Sequence, residues 1–374
     1  FFYIMPHDQA RAYSVKAKAA RAARKPKRIG LMAQSGVVKE EFVFKNAPFK
    51  ACHASTIAQT QRGFAVAWFG GSRESHNDVS IWLSWHNGKG WSGPKEVANG
   101  IQHAAKRYAC WNPVLFQADT GPLMLFYKTG SDEPVWWGEM MTSHDGGRTW
   151  GQPRRLPEDI LGPIKNKPIQ LPNGDILCGS STELDLGDRE IWKVHLELTS
   201  DMGRTWRRIG PINDGSKFNA IQPSILTHAD GRLQILCRSL EDRVTTAWSS
   251  DMGRTWGAMT ATTLPNPDSG TDAVTLADGR QLLVYNHTAE EEPYDRQMLN
   301  VSLSRDGIHW QAALILENQP GEYSYPAVIQ SDDGLVHITY TWRRERIKHV
   351  VIDPANLVLS DLPNGKWPGL TPRK

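Results

Sequence analysis

Helix-period patterning is nearly missing from this chain of 374 residues. Cysteine is scarce as well: there are four, Cys52, Cys110, Cys178 and Cys237, and none has metal-type spacing. They fall beside or within apolar runs, which points to buried thiols and argues against a disulfide-framed scaffold. No apolar run reaches the roughly 20 residues that a membrane-spanning helix needs. No one sign of charge dominates, since the formal balance is only +3. Eight basic residues and no acid lie between Arg11 and Arg28, and without them the balance becomes −5. The body is therefore mildly acidic and carries no nucleic-acid footprint. The basic stretch reads as a solvated terminal arm, or as a segment that touches a membrane or an anionic polymer. The start, Phe1-Phe2-Tyr3-Ile4-Met5, is compatible with the stub of a removed signal or anchor.

What the chain has instead is a repeat. Ser143-His144-Asp145-Gly146-Gly147-Arg148-Thr149-Trp150 comes back as Thr199 to Trp206 and again as Ser249 to Trp256. Ser304 to Trp310 is a variant with the Asp displaced by one, and Ser84 to Trp91 is a degenerate copy with His86 in the Asp position. A spacing of roughly 50 to 60 residues is that of propeller blades. The chemistry is structural. A turn Asp accepts from backbone N–H groups two or three residues on, the Gly supplies a positive φ, and the Trp folds back over the hairpin.

Between the repeats, apolar strands come in pairs joined by Asn-Gly or Asp-Gly turns, as at Asn173-Gly174, Asp230-Gly231, Asp278-Gly279 and Asp333-Gly334. Six such pairs predict an all-β, six-bladed propeller over residues 38–360. An irregular basic arm precedes it over 1–37, and a tail follows over 361–374. The β-rich stretch Val38 to Phe49 is expected to complete the last blade and so remove an open edge.

If the first strand of each pair lines the axis, strand starts and second-strand ends converge on one face. The starts are His53, Trp111-Asn112, Asn166-Lys167, Gln222, Thr271-Asp272 and Tyr323-Ser324-Tyr325. The ends are Arg73-Glu74, Lys128, Glu183, Arg238, Asn286-His287 and Arg343. Polar and aromatic residues at every emerging point suggest an active site or a glycan-binding site. Arg73, Lys128, Lys167, Arg238 and Arg343 form a cationic set suited to an anionic small ligand. They can equally pair with Glu74, Glu183, Glu241 or Asp272 to hold blades together. Trp111, Trp136 and Trp137 are stacking platforms for a sugar or core residues.

Over about residues 50 to 350 the chain resembles the sialidase (neuraminidase) superfamily, whose six-bladed propellers carry this Asp-box repeat. The resemblance implies an arginine-held substrate carboxylate, a Tyr nucleophile assisted by a Glu, and an Asp acid/base. A neutral nucleophile suits an anomeric carbon that bears a carboxylate, and sialidases depart from the two-carboxylate scheme accordingly. Arg238 sits like the family's second arginine, Arg296 like the third, and Tyr323-Ser324 like the nucleophile's Tyr-Ser. Glu74 or Asp78 lies in the loop that carries the acid/base. Two positions depart from the pattern. His53, in Cys52-His53-Ala54-Ser55, stands where the first arginine is expected, and Gln222 stands near the Tyr-activating glutamate.

The resemblance thus implies a glycosidase that removes a terminal acidic sugar, a sialic acid, from glycoconjugates, in a secreted or periplasmic setting. Its catalytic group is drawn from Tyr323, Tyr325, His53, Glu74, Asp78 and Gln222. Its substrate contacts come from Arg73, Arg238, Arg296, Arg343, Lys128, Lys167, Asn112, Trp111, Asp272 and Asn286. No metal or cofactor is expected. Two other readings remain open: a lyase or hydrolase of uronic-acid glycans, using His and Tyr with a charge-neutralising Arg, and a glycan-binding propeller without turnover.

Overall fold

A computed structural model describes residues 29–288 and 295–368. The basic stretch from Arg11 to Arg28 and the end of the tail lie outside them. Six antiparallel sheets form the six blades of a propeller. Blade 1 comprises Ala51–Thr60, Gly63–Gly71, Ser80–His86 and Lys95–Ala98. Blades 2 to 5 have their innermost strands at Lys106–Gln117, Ile169–Gln170, Ala220–Thr227 and Asp272–Thr275. Blade 6 runs Tyr323–Gln330, Val336–Trp342, Arg346–Ile352, and its fourth, outermost strand is Val37–Phe42 from the other end of the chain. The expected edge-closing strand is therefore present. Ser360–Asp361 pairs with Trp310–Glu317 on the rim of blade 5, and Trp367 packs beside Ala312 and Ile315.

Apolar residues of adjoining blades interlock. Trp68, Tyr285 and Tyr340 are fully buried, as are most strand leucines, isoleucines and valines. Each such aliphatic side chain contributes roughly 1.5–3 kcal/mol of transfer free energy. Polar side chains then tie the inner strands together. Thr56 Oγ1 accepts from Leu115 N at 3.0 Å, Ser224 Oγ accepts from Ala273 N at 3.1 Å, and Thr341 Oγ1 accepts from Ala54 N at 3.1 Å. The four cysteines are free and buried.

The repeats lie between the third and fourth strands of their blades. Asp201 Oδ1 accepts from Arg204 N at 2.9 Å and Thr205 N at 2.8 Å, and Trp206 Nε1 returns to Gly203 O at 2.9 Å. Asp145 and Asp251 bind the amide four residues on in the same way. In the degenerate copy His86 Nδ1 accepts from Gly88 N at 3.2 Å, so the imidazole stands in for the carboxylate.

A buried chain of polar groups anchors the closing strand. Glu41 Oε1 meets His349 Nδ1 at 3.1 Å, and His349 Nε2 meets His337 Nδ1 at 2.9 Å. Trp91 Nε1 donates to Glu41, Lys39 pairs with it at 2.8 Å, and the ring of Phe64 lies 4.1 Å from that of His337. Burial holds His337 down to about 4 and lowers His349 as well. Glu41 is half-buried, and although that burial opposes its charge, its hydrogen bonds to His349, Lys39 and Trp91 bring it down to about 2. An unfolded histidine takes its proton near 6.5, so between there and about 4 the unfolded chain binds more protons. Stability is therefore present above 6.5 and declines as pH falls through this window. Thermal unfolding followed by circular dichroism should show Tm dropping from pH 7 to about pH 4.5, with a shallower drop in His337→Gln.

Candidate active site

Four of the six innermost strands begin with the same irregularity. Pairing skips between His53 and Thr56, Trp111 and Val114, Ile221 and Ser224, and Ser324 and Ala327. Within each skip one residue has a positive φ: Ala54, Asn112, Gln222 and Tyr325. In three of the four a proline follows directly (Pro113, Pro223, Pro326), where the bulge needs no ladder N–H. The bulge turns the side chain that would have followed the pleat toward the axis. Gln222 and Tyr325 meet there because they occupy equivalent places in different blades.

Tyr325 is the hub. Its phenolic oxygen accepts from Arg238 Nη1 at 2.8 Å and from Gln222 Nε2 at 3.3 Å. The His53 ring lies 4.2 Å from its ring, centroid to centroid. Arg296 and Lys165 approach the same ring at 5.9 and 5.7 Å. Gly270 gives the ring room, since a Cβ there would stand 3.1 Å from Tyr325 Cδ2 and 3.3 Å from Gln222 Oε1. Burial, reinforced by Arg344, Arg296, Lys165 and Arg238, holds His53 well below its ordinary value. Its Nδ1 has no hydrogen-bond partner among the described residues. The imidazole is therefore neutral and presents a free nitrogen next to the Tyr325 ring.

Three guanidinium groups surround this pair, each beside a carboxylate. Arg238 holds Asp268 through Nε at 2.8 Å and Nη2 at 2.6 Å, and it lies on the Trp192 ring at 5.0 Å. Arg344 binds Glu322 at 2.7 Å and also binds Glu74. Arg296 is held loosely: it reaches Glu322 at 3.4 Å, Asp295 at 3.5 Å and the Asp268 carbonyl at 3.5 Å. Its buried Nε makes no hydrogen bond among the described residues, the Asp295 carboxylate at 3.5 Å being only an ion-pair neighbour. A small pocket beside His53 is lined by Cys52, Phe69, Glu74, Val79 and Arg344. Arg344 enters from a tight hairpin turn in which both Arg343 and Arg344 have φ of 55°. Such a turn favours Asn-Gly, so two arginines hold it under strain. The Arg344 carbonyl is fixed by Cys52 N at 2.8 Å.

Several residues expected at the site are placed elsewhere. Tyr323 is 1% exposed in the core between blades 5 and 6, near Trp342, so of the two tyrosines only Tyr325 reaches the axis. Lys128 is fully buried, donates to the Pro163 carbonyl, and is brought down by burial to about 7. Lys167 and Asp272 bind each other at 3.0 Å, and Asp272 also accepts from Ser224 and Val328 N. The cation at the axis is instead Lys165. Asn286 is fully buried and donates to the Met298 and Tyr323 carbonyls. Trp111 is a core residue whose Nε1 donates to Gly130 O, and Asn112 is buried at the bulge. Arg343 lies on Trp342 and donates to the Pro320 carbonyl. Asp78 caps its own loop through Ser72 N and His76, and Arg73 is exposed on the same loop. For Tyr323, Lys128, Asn286 and Trp111, which lie in strands, the reason is alternation: strand neighbours face opposite ways, and the bulges decide which of them face the axis; Arg73, Asp78, Lys167 and Arg343 lie in the connecting segments. Lys165, Asp268, Glu322 and Arg344 were not legible as site residues. The Asn-Pro, Gln-Pro and Tyr-Pro pairs at the strand starts were a usable signal for Tyr325.

The model of a family described as BNR repeat-like domain matches residues 62–338. No curated protein matches the chain. Among solved structures, a protein of unknown function from Dyadobacter fermentans superposes with a TM-score of 0.70 at 18% identity, covering 85% of this chain and 99% of that one. The sialidase of Trypanosoma rangeli superposes with a TM-score of 0.65 at 16% identity, covering 82% of this chain and 55% of that one. The NanB sialidase of Streptococcus pneumoniae gives 0.66 at 12%, covering 85% and 71%. The chain thus spans little more than half of the trypanosomal enzyme's length. The depressed His53 can be checked directly. In a histidine-labelled sample, the His53 ring resonances should stay at their neutral positions as pH falls through 6.5.

Proposed function

The chain belongs to the family of BNR repeat-like domains, as a propeller of the sialidase kind, and on that footing we propose that it is a glycosidase that removes a terminal acidic sugar, a sialic acid, from glycoconjugates. The observation that carries this reading is Tyr325, whose hydroxyl is held by Arg238 and Gln222 and whose ring lies against His53 and near Arg296, with Arg344 on the His53 side. The loosely bound Arg296 receives the sugar carboxylate, and Arg344 supports it from the pocket side. Bidentate guanidinium–carboxylate bonding fixes the ring and presents the anomeric carbon to Tyr325.

The Gln222 amide does not accept a proton at neutral pH, so it orients the phenol and does not activate it. His53 takes that role. As the Tyr325 oxygen bonds to the anomeric carbon, its proton passes to His53, and Arg238 stabilises the oxygen through its 2.8 Å hydrogen bond. In the second half-reaction water displaces Tyr325, which recovers its proton from His53.

The neutral His53 and the amide at Gln222 also favour a second reading, elimination on a uronic-acid glycan. There His53 would withdraw the proton next to the carboxylate and Tyr325 would protonate the departing oxygen.

Free sialic acid released from sialyllactose separates these readings. Tyr325→Phe and His53→Ala should each lower release by about 100-fold or more, while Tyr323→Phe should stay near the parent. A folded protein that releases nothing from any sialoside would sink the glycosidase reading. An unsaturated, near-ultraviolet-absorbing product from a uronic-acid polysaccharide would then establish the second.

A further inference from the structure

A glycosidase of this design needs a group that protonates the departing oxygen. The two carboxylates on the loop after the second strand of blade 1 are committed elsewhere. Glu74 is ion-paired with Arg344, and Asp78 accepts from Ser72 and His76 in its own loop. The hydrogen bonds from His76 and Ser72 outweigh Asp78's slight burial and hold it below the ordinary carboxylate value, so it does not carry a proton at neutral pH. Asp268 is clamped by Arg238, and Glu322 by Arg344.

Glu183 is differently placed. It lies near the end of the second strand of blade 3, Ile176–Asp185, directly opposite Trp192 on the neighbouring strand. Residues directly opposite in an antiparallel pair present their side chains to the same face. Trp192 is the ring on which Arg238 lies, and Arg238 is the donor to Tyr325. The Glu183 side chain therefore stands on the Arg238 side of Tyr325. It is half-buried and, among the described residues, its carboxyl makes no hydrogen bond to a protein donor.

We propose that Glu183 is the proton carrier of this site, delivering its carboxyl proton to the departing glycosidic oxygen. The inference rests on the glycosidase reading above. The glycosidic C–O bond breaks and its electron pair stays with the oxygen, which takes the proton from Glu183. The new bond forms between the anomeric carbon and the Tyr325 oxygen, whose proton goes to His53. When water later attacks, its proton returns to Glu183 and His53 reprotonates Tyr325, so every group ends as it began. Burial pushes Glu183 up to about 7, with Glu133, Asp268 and Glu190 acting in the same direction and Arg238 opposing them. The carboxyl is thus still partly protonated at neutral pH.

The test compares Glu183→Gln with the parent on two substrates. Sialyllactose has a poor leaving group that must be protonated, and an aryl sialoside such as the 4-nitrophenyl derivative has a good one that need not be. The variant should lose about 100-fold on sialyllactose and less than about 5-fold on the aryl sialoside, as loss of a general acid requires. The parent's decline in rate as pH rises through about 7 should vanish in the variant. Equal loss on both substrates, or none on either, overturns the proposal. An infrared difference spectrum at about pH 6 reads Glu183 independently of turnover. A protonated-carboxyl band present in the parent and missing from the variant supports the proposal, and no such difference overturns it. If the parent cleaves neither sialoside, the glycosidase reading fails by itself, and the infrared band still decides whether Glu183 carries a proton.

Discussion

One buried ammonium group organises the centre of this molecule. Lys165 Nζ donates to Asn166 Oδ1 at 2.9 Å, to the Thr271 carbonyl at 2.8 Å and to the Pro326 carbonyl at 2.5 Å. It thereby joins the approach to blade 3 with the inner strands of blades 5 and 6. All three of its donors are used, which is the condition for a buried cation to be tolerated at all. Its burial lowers it to about 7. The Pro326 carbonyl that it holds belongs to the bulge that aims Tyr325. The same contact that closes the axis therefore sets the height and direction of the phenol above it.

Around that anchor the site divides by charge. Toward blades 5, 6 and 1 stand Arg296 and Arg344, with the carboxylates of Asp295, Glu322 and Glu74 beside them, and the neutral His53. Toward blades 2, 3 and 4 stand Glu133, Glu183 and Asp268, each raised by burial. Arg238 lies at the boundary, and although burial opposes its charge, Tyr325, Asp268 and Glu183 raise its pKa further. A ligand that is anionic at one end and uncharged at the other matches this division. Its acid end is attracted to the guanidinium side, and its neutral end meets carboxyls that burial makes harder to ionise. The charges were assembled from six blades, so no short stretch of sequence contains the pattern.

That explains which parts were legible beforehand. The Asp-box turns were read from sequence because their hydrogen bonds span at most four residues, as in Asp145 to Thr149. The blade count followed from them, and so did the closing strand. The axial residues were read only by blade. Lys128 lies near the end of its strand as expected, yet the pleat turns it into the core, while Lys167 lies two residues ahead of its strand and is taken by Asp272. Tyr323 and Tyr325 differ by two positions and would share a face in a regular strand; the bulge separates them. Arg344 was out of reach because its place depends on a left-handed turn and on Cys52, almost 300 residues earlier in the chain.

The closing strand has a consequence for how the chain comes to be folded. Val37–Phe42 is made before the six blades, but its sheet partner among the described residues, Arg346–Ile352, follows about 300 residues later. Their contact at Glu41 and His349 spans 308 residues. Until that late strand emerges, the early one has no ladder to join and must be kept from pairing with anything else. Its sequence suits the wait: Val-Val-Lys-Glu-Glu-Phe carries three charges in six residues, which discourages edge-to-edge association. The ring is thus completed last, by the segment that has waited longest, and ring closure is the slow, non-local step of this topology.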